Sequence, residues 1–457
     1  MSIPHTKEAF QLMMQGSEAL ANMSSAGMRI DTEYLDRKIV EIGNRIKEKQ
    51  QELEATEFYG LWRKRFGANA NLGSRPQMGD IIYKDLGFEC KHFSDTGKPR
   101  VDVDALADID HPFVNDYVRW QKLNKLHSTY LLGIRNEVDL RGFLHPSYNL
   151  HTVATTRSSC DLPNIQNIPI RDKDIASEIR PAFIPRNGHR LVEIDFSGAE
   201  VRCACAYHHD PVMIKYVLED YDIHKDMAGE CYLCPDSLIS GDMRGTAKGM
   251  FVFASYYGDW YVQISQNLWK AVDRYDLKLK DGTSLREHLN QKGMTTLEAF
   301  TNHIKVVCDR FWFERFKVYS QWKEEWWNEY LKRGWFQMKT GFVCQGAYRR
   351  NQVINFAVQG SAFHWNLWVL IQLNKWLKKW KMRTRLIGQI HDSMVLDVYE
   401  GELQDVLAKV RQLITVDLPN FWKWINVPVN AEFSVCDTNW HTKKKWKVEN
   451  GIWRVAN

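Results

Sequence analysis

Two short apolar runs rich in β-branched residues, LVEIDFSGAEVR and QIHDSMVLDV, each carry one aspartate, Asp195 and Asp392, inside what reads as a buried strand. A carboxylate in such a place is costly unless a cation or a hydrogen-bonding partner compensates it. The stretch between them, from Ala199 to Asn355, has a mostly helical pattern, broken by the turn Lys280-Asp281-Gly282-Thr283. Strands on both sides of a helical block imply one sheet with a helical subdomain inserted into it. Such a fold can bring the two aspartates together. A carboxylate pair of that kind suits two divalent cations promoting in-line attack on a phosphate, so the pattern points to nucleotidyl transfer.

The bulk properties agree with a large globular chain. At 457 residues it has room for two or three domains, and 44% hydrophobic with 26% charged residues excludes a disordered protein. The net charge of +5 is modest but gathers in runs such as Arg349-Arg350 and Lys443-Lys444-Lys445, which would suit a polyanion or simply face water. Most tryptophans between Trp312 and Trp335 are expected to be core. Nine cysteines at irregular spacing favour a reducing compartment over a disulfide framework. Cys203, Cys205, His208, His209, Cys231 and Cys234 could be drawn as a zinc site. However, an x-Cys-x-Cys pair on a helix turns its thiols to different faces, so buried inert thiols are expected. With no signal sequence and no apolar run of ~20 residues, the chain is expected to be cytoplasmic, in a host cytoplasm if viral, and not in a membrane.

The first third reads as helical and basic on one face. Asp31 is placed to cap a helix starting at Thr32, and a helix over Val114 to Ile134 carries Lys122 and Lys125. Between the aspartates, Arg244 and Lys248 stand one turn apart on a helix, followed by Phe253 and Tyr257, again one turn apart. Beside metal-binding carboxylates, such cations suit a triphosphate and such rings suit a base.

These segments resemble DNA polymerase family A, the bacterial polymerase I type, in a compact and viral-looking version. DFSGAEVR and QIHDSMVLDV resemble its two catalytic motifs, and R-GTA-K-GMFVFASYYG resembles its nucleotide-binding helix. TTRSSCDLPNIQNIPIR, INFAVQGSA, KLNKLHSTYLLG, ANMSSAGMRID and VNAEFSVCDTNW match supporting segments. The resemblance implies an α+β right-hand fold: a helical thumb over 1–143, an antiparallel-sheet palm over 144–202 and 361–457, and helical fingers over 203–360. The nucleotide-binding helix would lie at about 243–258 and an insertion at about 275–295.

It also implies roles. Asp195 and Asp392 would hold two Mg2+ ions, with Mn2+ as an alternative. Arg244, Lys248, Phe253, Tyr257, His224 and Glu200 would bind the deoxynucleoside triphosphate, Glu200 as a barrier to the ribose 2′-hydroxyl. Arg157, Asn164, Gln166, Asn167, Asn355, Gln359, His391, Lys122 and Lys125 would contact the DNA primer-template. A monomer is expected. The thumb-like pattern starts too early to leave room for a 3′→5′ exonuclease, so proofreading, like helicase-primase or processivity functions, would fall to separate proteins.

Several positions depart from the family pattern. Ser393 follows Asp392 where a third carboxylate is usual, Gly198 replaces a glutamine, and Asn351 stands where an arginine is usual. Lys248 to Tyr257 spans one residue more than usual, which a π-bulge would absorb. Counting back from Tyr257 puts Phe253 at the base-stacking position, whereas counting on from Lys248 puts Val252 there. With Phe253 there, dideoxynucleotides should be rejected. A basic stretch after Trp440 extends past the usual family end, as a duplex contact or a solvated tail. The rivals are a single-subunit RNA polymerase, towards which Ser393 leans, and a catalytically inactive nucleic-acid-binding module.

Overall fold

In the computed structural model, which describes residues 2–90, 93–94, 96–106, 109–169 and 172–456, the two aspartate-bearing segments are neighbours in one sheet. Strand His189–Phe196 is central, with Ser393–Tyr399 antiparallel on one side and Ala431–Cys436 antiparallel on the other. Its side chains alternate. Val192, Ile194 and Phe196 pack in the core shared with the long helix Arg350–Lys379, while Leu191 joins the core on the opposite face. Asp195, at the end of this strand, falls on the Leu191 face by the same alternation.

The sheet has six strands, and its two outer ones were not expected. Lys443–Glu449 and Ile452–Val455 form a hairpin that continues the sheet beyond Ala431–Cys436. This corrects the reading of the basic stretch as a solvated tail. Lys443, Lys444 and Lys445 pair with Glu193, Asp437 and Glu432 at 2.9, 3.6 and 2.7 Å, and the Trp453 ring lies 4.4 Å from that of Phe433. A run of lysines hides a strand because the outer part of a sheet is solvated and charge there is tolerated.

A second unexpected hairpin, Trp335–Gln337 with Phe342–Gln345, interrupts the block read as helical and pairs with Ser2–Pro4 as a third strand. Its partner comes from the far end of the chain, so no local pattern announces it.

The packing also groups the chain differently from the expected divisions. Helix Lys7–Ala26 buries Leu12, Leu20 and Met23 in the same core as Arg350–Lys379, so it packs with the sheet layer. Helix Arg350–Lys379 runs unbroken through residue 360, the expected boundary between fingers and palm. Helix Thr32–Glu54, capped by Asp31 accepting from the Tyr34 N–H at 2.9 Å, packs on Pro112–Lys125.

Between Ala199 and Arg333 the chain is helical around its own core of Phe251, Phe300, Phe311 and Trp312. The turn near Lys280 is anchored there by buried Leu277, Leu279, Leu285 and Leu289. Cys205, Cys231 and Cys234 pack in this core and Cys203 in the sheet core, all as free thiols that burial pushes up in pKa. His208 stacks on Tyr319 with ring centres 4.1 Å apart. Among the described residues, no helix is long and apolar enough to cross a membrane.

Candidate active site

The strand register sets Ser393 opposite Asp195, so Asp392 stands just beyond its strand's end, where its carbonyl accepts from the Phe196 N–H at 3.3 Å. The two carboxylates are close enough for one to repel the other. Loss of solvent and then repulsion by Asp392 push the Asp195 pKa up to about 6. Burial likewise raises that of Asp392, against the pull of Arg157. Asp392 Oδ1 is shut off from water and accepts no hydrogen bond; the nearest guanidinium nitrogen, on Arg157, stays 3.9 Å away. Two mutually repelling carboxylates with an unsatisfied buried oxygen fit a bound cation.

Glu200 sits in the first turn of helix Ala199–His208, which starts from Gly198 at φ 58°, ψ 43°, a left-handed conformation that glycine adopts without steric cost. Its carboxylate joins two groups, one of which is held in turn by a third. The Arg157 guanidinium donates to one oxygen, the Tyr257 hydroxyl donates to the other at 2.8 Å, and the Asn355 amide donates to the Tyr257 carbonyl at 3.4 Å. Gln359 lines the same pocket one turn further along its helix.

The extra residue between Lys248 and Tyr257 is absorbed by a π-helical turn over Lys248–Phe253. That turn keeps Lys248, Phe253 and Tyr257 on one side: the Lys248 ammonium lies 5.5 Å from the Phe253 ring centre, and the two rings are 6.3 Å apart. Val252 is fully buried in the helical core, so the pocket receives Phe253. Asn351 is packed beneath this helix end: a Cβ on Gly258, which has φ 100°, would lie 2.3 Å from the Asn351 Cγ. Arg244 is one turn back, its Nε donating to Asp222 at 2.7 Å. His224 lies edge-on to Phe253 at 5.7 Å, its Nδ1 buried without a partner. Burial and then Lys248 and Arg244 lower its pKa to about 4, so the ring is neutral near pH 7.

The remaining predicted residues lie outside this pocket. His391 occupies the exposed turn before Asp392 with φ 52°. Asn164 caps the short turn Ile165–Asn167, and the Asn167 carbonyl accepts from the Tyr130 hydroxyl at 3.2 Å. Lys122 pairs with Asp172 at 3.1 Å, and Lys125 lies 5.9 Å from the Tyr130 ring. Ile170 and Arg171, which end the TTRSSCDLPNIQNIPIR segment, lie outside the described residues.

Two residues not singled out from the sequence matter here. Gln389 is fully buried; its Oε1 accepts from Ser158 at 2.6 Å and from Gln166 at 2.8 Å, and its Nε2 donates to the His391 carbonyl at 2.5 Å. It ties the Arg157 segment to the Asp392 turn. Glu432 is in register with Asp195, on the side away from Ser393, and adds to the field that raises the Asp195 pKa. Gln389 could have been suspected as an amide inside an apolar strand; Glu432 had no local signal.

A central antiparallel sheet bearing paired carboxylates, with a helical block offering cations and aromatic rings above them, defines a nucleotidyltransferase-type architecture. The profile of DNA polymerase family A matches residues 36–442, and the chain belongs to that family, with its right-hand α+β fold. It is 25% identical over 443 residues to the DNA polymerase of Bacillus phage SP01, covering 90% of this chain and 44% of that protein. It is 27% identical over 419 residues to DNA polymerase I of Pseudomonas aeruginosa, covering 88% and 41%. The chain thus spans less than half the length of these relatives. The fold matches the POL domain of Pol1 from M. smegmatis, in complex with DNA primer-template and dNTP. The TM-score is 0.75 at 23% identity, over 94% of this chain and 70% of that one.

Proposed function

We propose that this chain carries out template-directed DNA synthesis, extending a primer with deoxynucleoside triphosphates and releasing pyrophosphate. The observation that carries this reading is the pairing of Asp195 and Asp392 at adjacent strand ends, with Asp392 linked through Arg157 and Glu200 to Tyr257, which shares one helix side with Lys248 and Phe253. In this reading the thumb is built on helices Thr32–Glu54 and Pro112–Lys125, the palm on the six-stranded sheet with Lys7–Ala26 and most of Arg350–Lys379, and the fingers on the block from Ala199 to Arg333.

The donor set fits magnesium. Among the described residues no three His, Cys, Asp or Glu side chains converge to hold a metal alone, and Mg2+ typically takes one or two carboxylates and fills its other positions from water and substrate phosphates. Two such ions, with Mn2+ as an alternative, would supply a more acidic primer 3′-hydroxyl and neutralise charge on the leaving pyrophosphate.

The chain's own residues would do the rest. Lys248 meets the triphosphate as a point charge, and Arg244 joins it by exchanging Asp222 for phosphate. His224, neutral at working pH, donates or accepts a hydrogen bond without adding charge. Phe253 stacks on the incoming base. Glu200, held by Arg157 and Tyr257, fills the space a ribose 2′-hydroxyl would need. Arg157, Asn355, Gln359 and His391 follow the minor-groove edge, where correct pairs present similarly placed acceptors. Asn164, Gln166, Asn167, Lys122 and Lys125 hold the primer-template backbone.

Primer extension on a defined template, with dNTPs in one arm and rNTPs in the other, tests the reading. Extension with dNTPs alone is expected. Equal use of both would favour the RNA polymerase alternative, to which Ser393 would then belong.

A further inference from the structure

The end of helix Arg350–Lys379 and the chain after it carry Lys375, Lys378, Lys379, Lys381, Arg383 and Arg385, with no acidic residue among them. Among the described residues only Lys378 of these is ion-paired, to Glu18 at 2.9 Å. Lys375 donates to the neutral Gln15 amide, and Arg385 to the main-chain carbonyls of Met382 and Thr384. Of the acids nearby, Glu402 is taken up by the Arg383 and Thr384 N–H groups, Asp397 by Arg186, and Asp417, which lines a groove with Lys379 and Phe421, by Lys409 at 3.3 Å. The surface therefore carries uncompensated positive charge.

Aromatic rings stand among these cations. Trp380 is 64% exposed and Phe421 49%, with the Lys379 ammonium 5.8 Å from the Trp380 ring centre. Two shallow grooves flank the helix end. One is lined by Asn22, Lys378, Lys381 and Arg385, the other by Lys375, Trp376, Lys379 and Phe421. A helix C-terminus attracts a cation or two through its dipole; a longer run of cations interleaved with exposed rings has the composition of a surface that tracks phosphates and stacks bases. From Gln359 at the nucleotide pocket to Lys379 the same helix extends roughly 30 Å, so this surface is separate from the cleft.

We propose that this face of the sheet layer binds single-stranded nucleic acid, as a second track distinct from the primer-template cleft. Its cations meet phosphates, and Trp380 and Phe421 stack on bases without reading sequence. The inference goes beyond DNA synthesis and does not require it.

The test uses the full chain saturated with an unlabelled hairpin primer-template, into which fluorescein-labelled oligothymidylate is titrated while anisotropy is read at several salt concentrations. Oligothymidylate should still bind, weaken steeply with salt, and lose roughly tenfold in affinity in K381E/R385E and severalfold in W380A. Both variants should extend a short primed template at the wild-type rate, which also certifies their fold. The proposal is overturned if the hairpin displaces oligothymidylate completely or if neither variant weakens it. It is also overturned if polyglutamate competes as well as oligothymidylate, because the site would then fit an acidic protein. Extension is measured separately, so failure here leaves the proposed polymerase function standing, and the converse holds.

Discussion

Glu200 combines a local structural role with a proposed selective one, because its carboxylate holds Arg157 and Tyr257 and lines the pocket proposed for the nucleotide. Glu200→Ala should therefore raise incorporation of ribonucleotides relative to deoxynucleotides by roughly tenfold or more, the worth of about 1–3 kcal/mol of steric exclusion, in single-nucleotide extension. Unchanged discrimination would mean that the carboxylate only ties the helices together. Phe253, facing the pocket while Val252 is buried, leads to a second expectation: Phe253→Tyr, by adding a hydroxyl where a dideoxynucleotide lacks one, should improve dideoxy termination about tenfold, on the scale of one hydrogen bond. The aspartates were legible because a carboxylate in an apolar strand is anomalous wherever it occurs. Glu432 was not, since only strand pairing sets it beside Asp195.

At the scale of elements, the π-helical turn Lys248–Phe253 and the hairpin Lys443–Val455 contrast in how they could be foreseen. Comparison with the spacing usual in the family exposed the first, because one extra residue must either rotate Tyr257 away or be absorbed locally. The hairpin was hidden by its charge, and the strand pairing Ser2–Pro4 with Phe342–Gln345 by its separation along the chain. The hairpin's contribution to stability rests on Trp453, 5% exposed and packed on Phe433. Trp453→Ala should cost about 3–5 kcal/mol in urea unfolding. A loss below about 1 kcal/mol would show that the hairpin adds little to the sheet.

Across the whole molecule, three buried histidines link stability to pH. Burial holds His208 and His364 down to about 3 and His224 to about 4, from the usual 6.5. Between roughly pH 6.5 and 4 the folded protein binds fewer protons at these sites than the unfolded chain does. Their contribution to stability therefore rises with pH and is lost on acidification, by about 1.4 kcal/mol per pH unit for each proton. Asp195, raised to about 6, works in the opposite direction between roughly pH 4 and 6. Urea midpoints should fall from pH 7 to pH 5, and His364→Asn should flatten that slope by about one proton; an unchanged slope would mean that His364 is charged in the fold.

The division of the chain into a sheet layer and an inserted helical block was legible from the two strand runs, whereas the place of Lys7–Ala26 in the sheet layer depended on a core it shares with residues at the other end of the sequence. The most direct measurement sets primer extension beside anisotropy of a labelled primer-template for wild type, Asp195→Asn and Asp392→Asn, in magnesium. Both variants should bind primer-template within about twofold of wild type and lose extension by at least about a thousandfold, roughly 4 kcal/mol in the barrier. Extension within tenfold of wild type in either variant would contradict the assignment of chemistry to this pair.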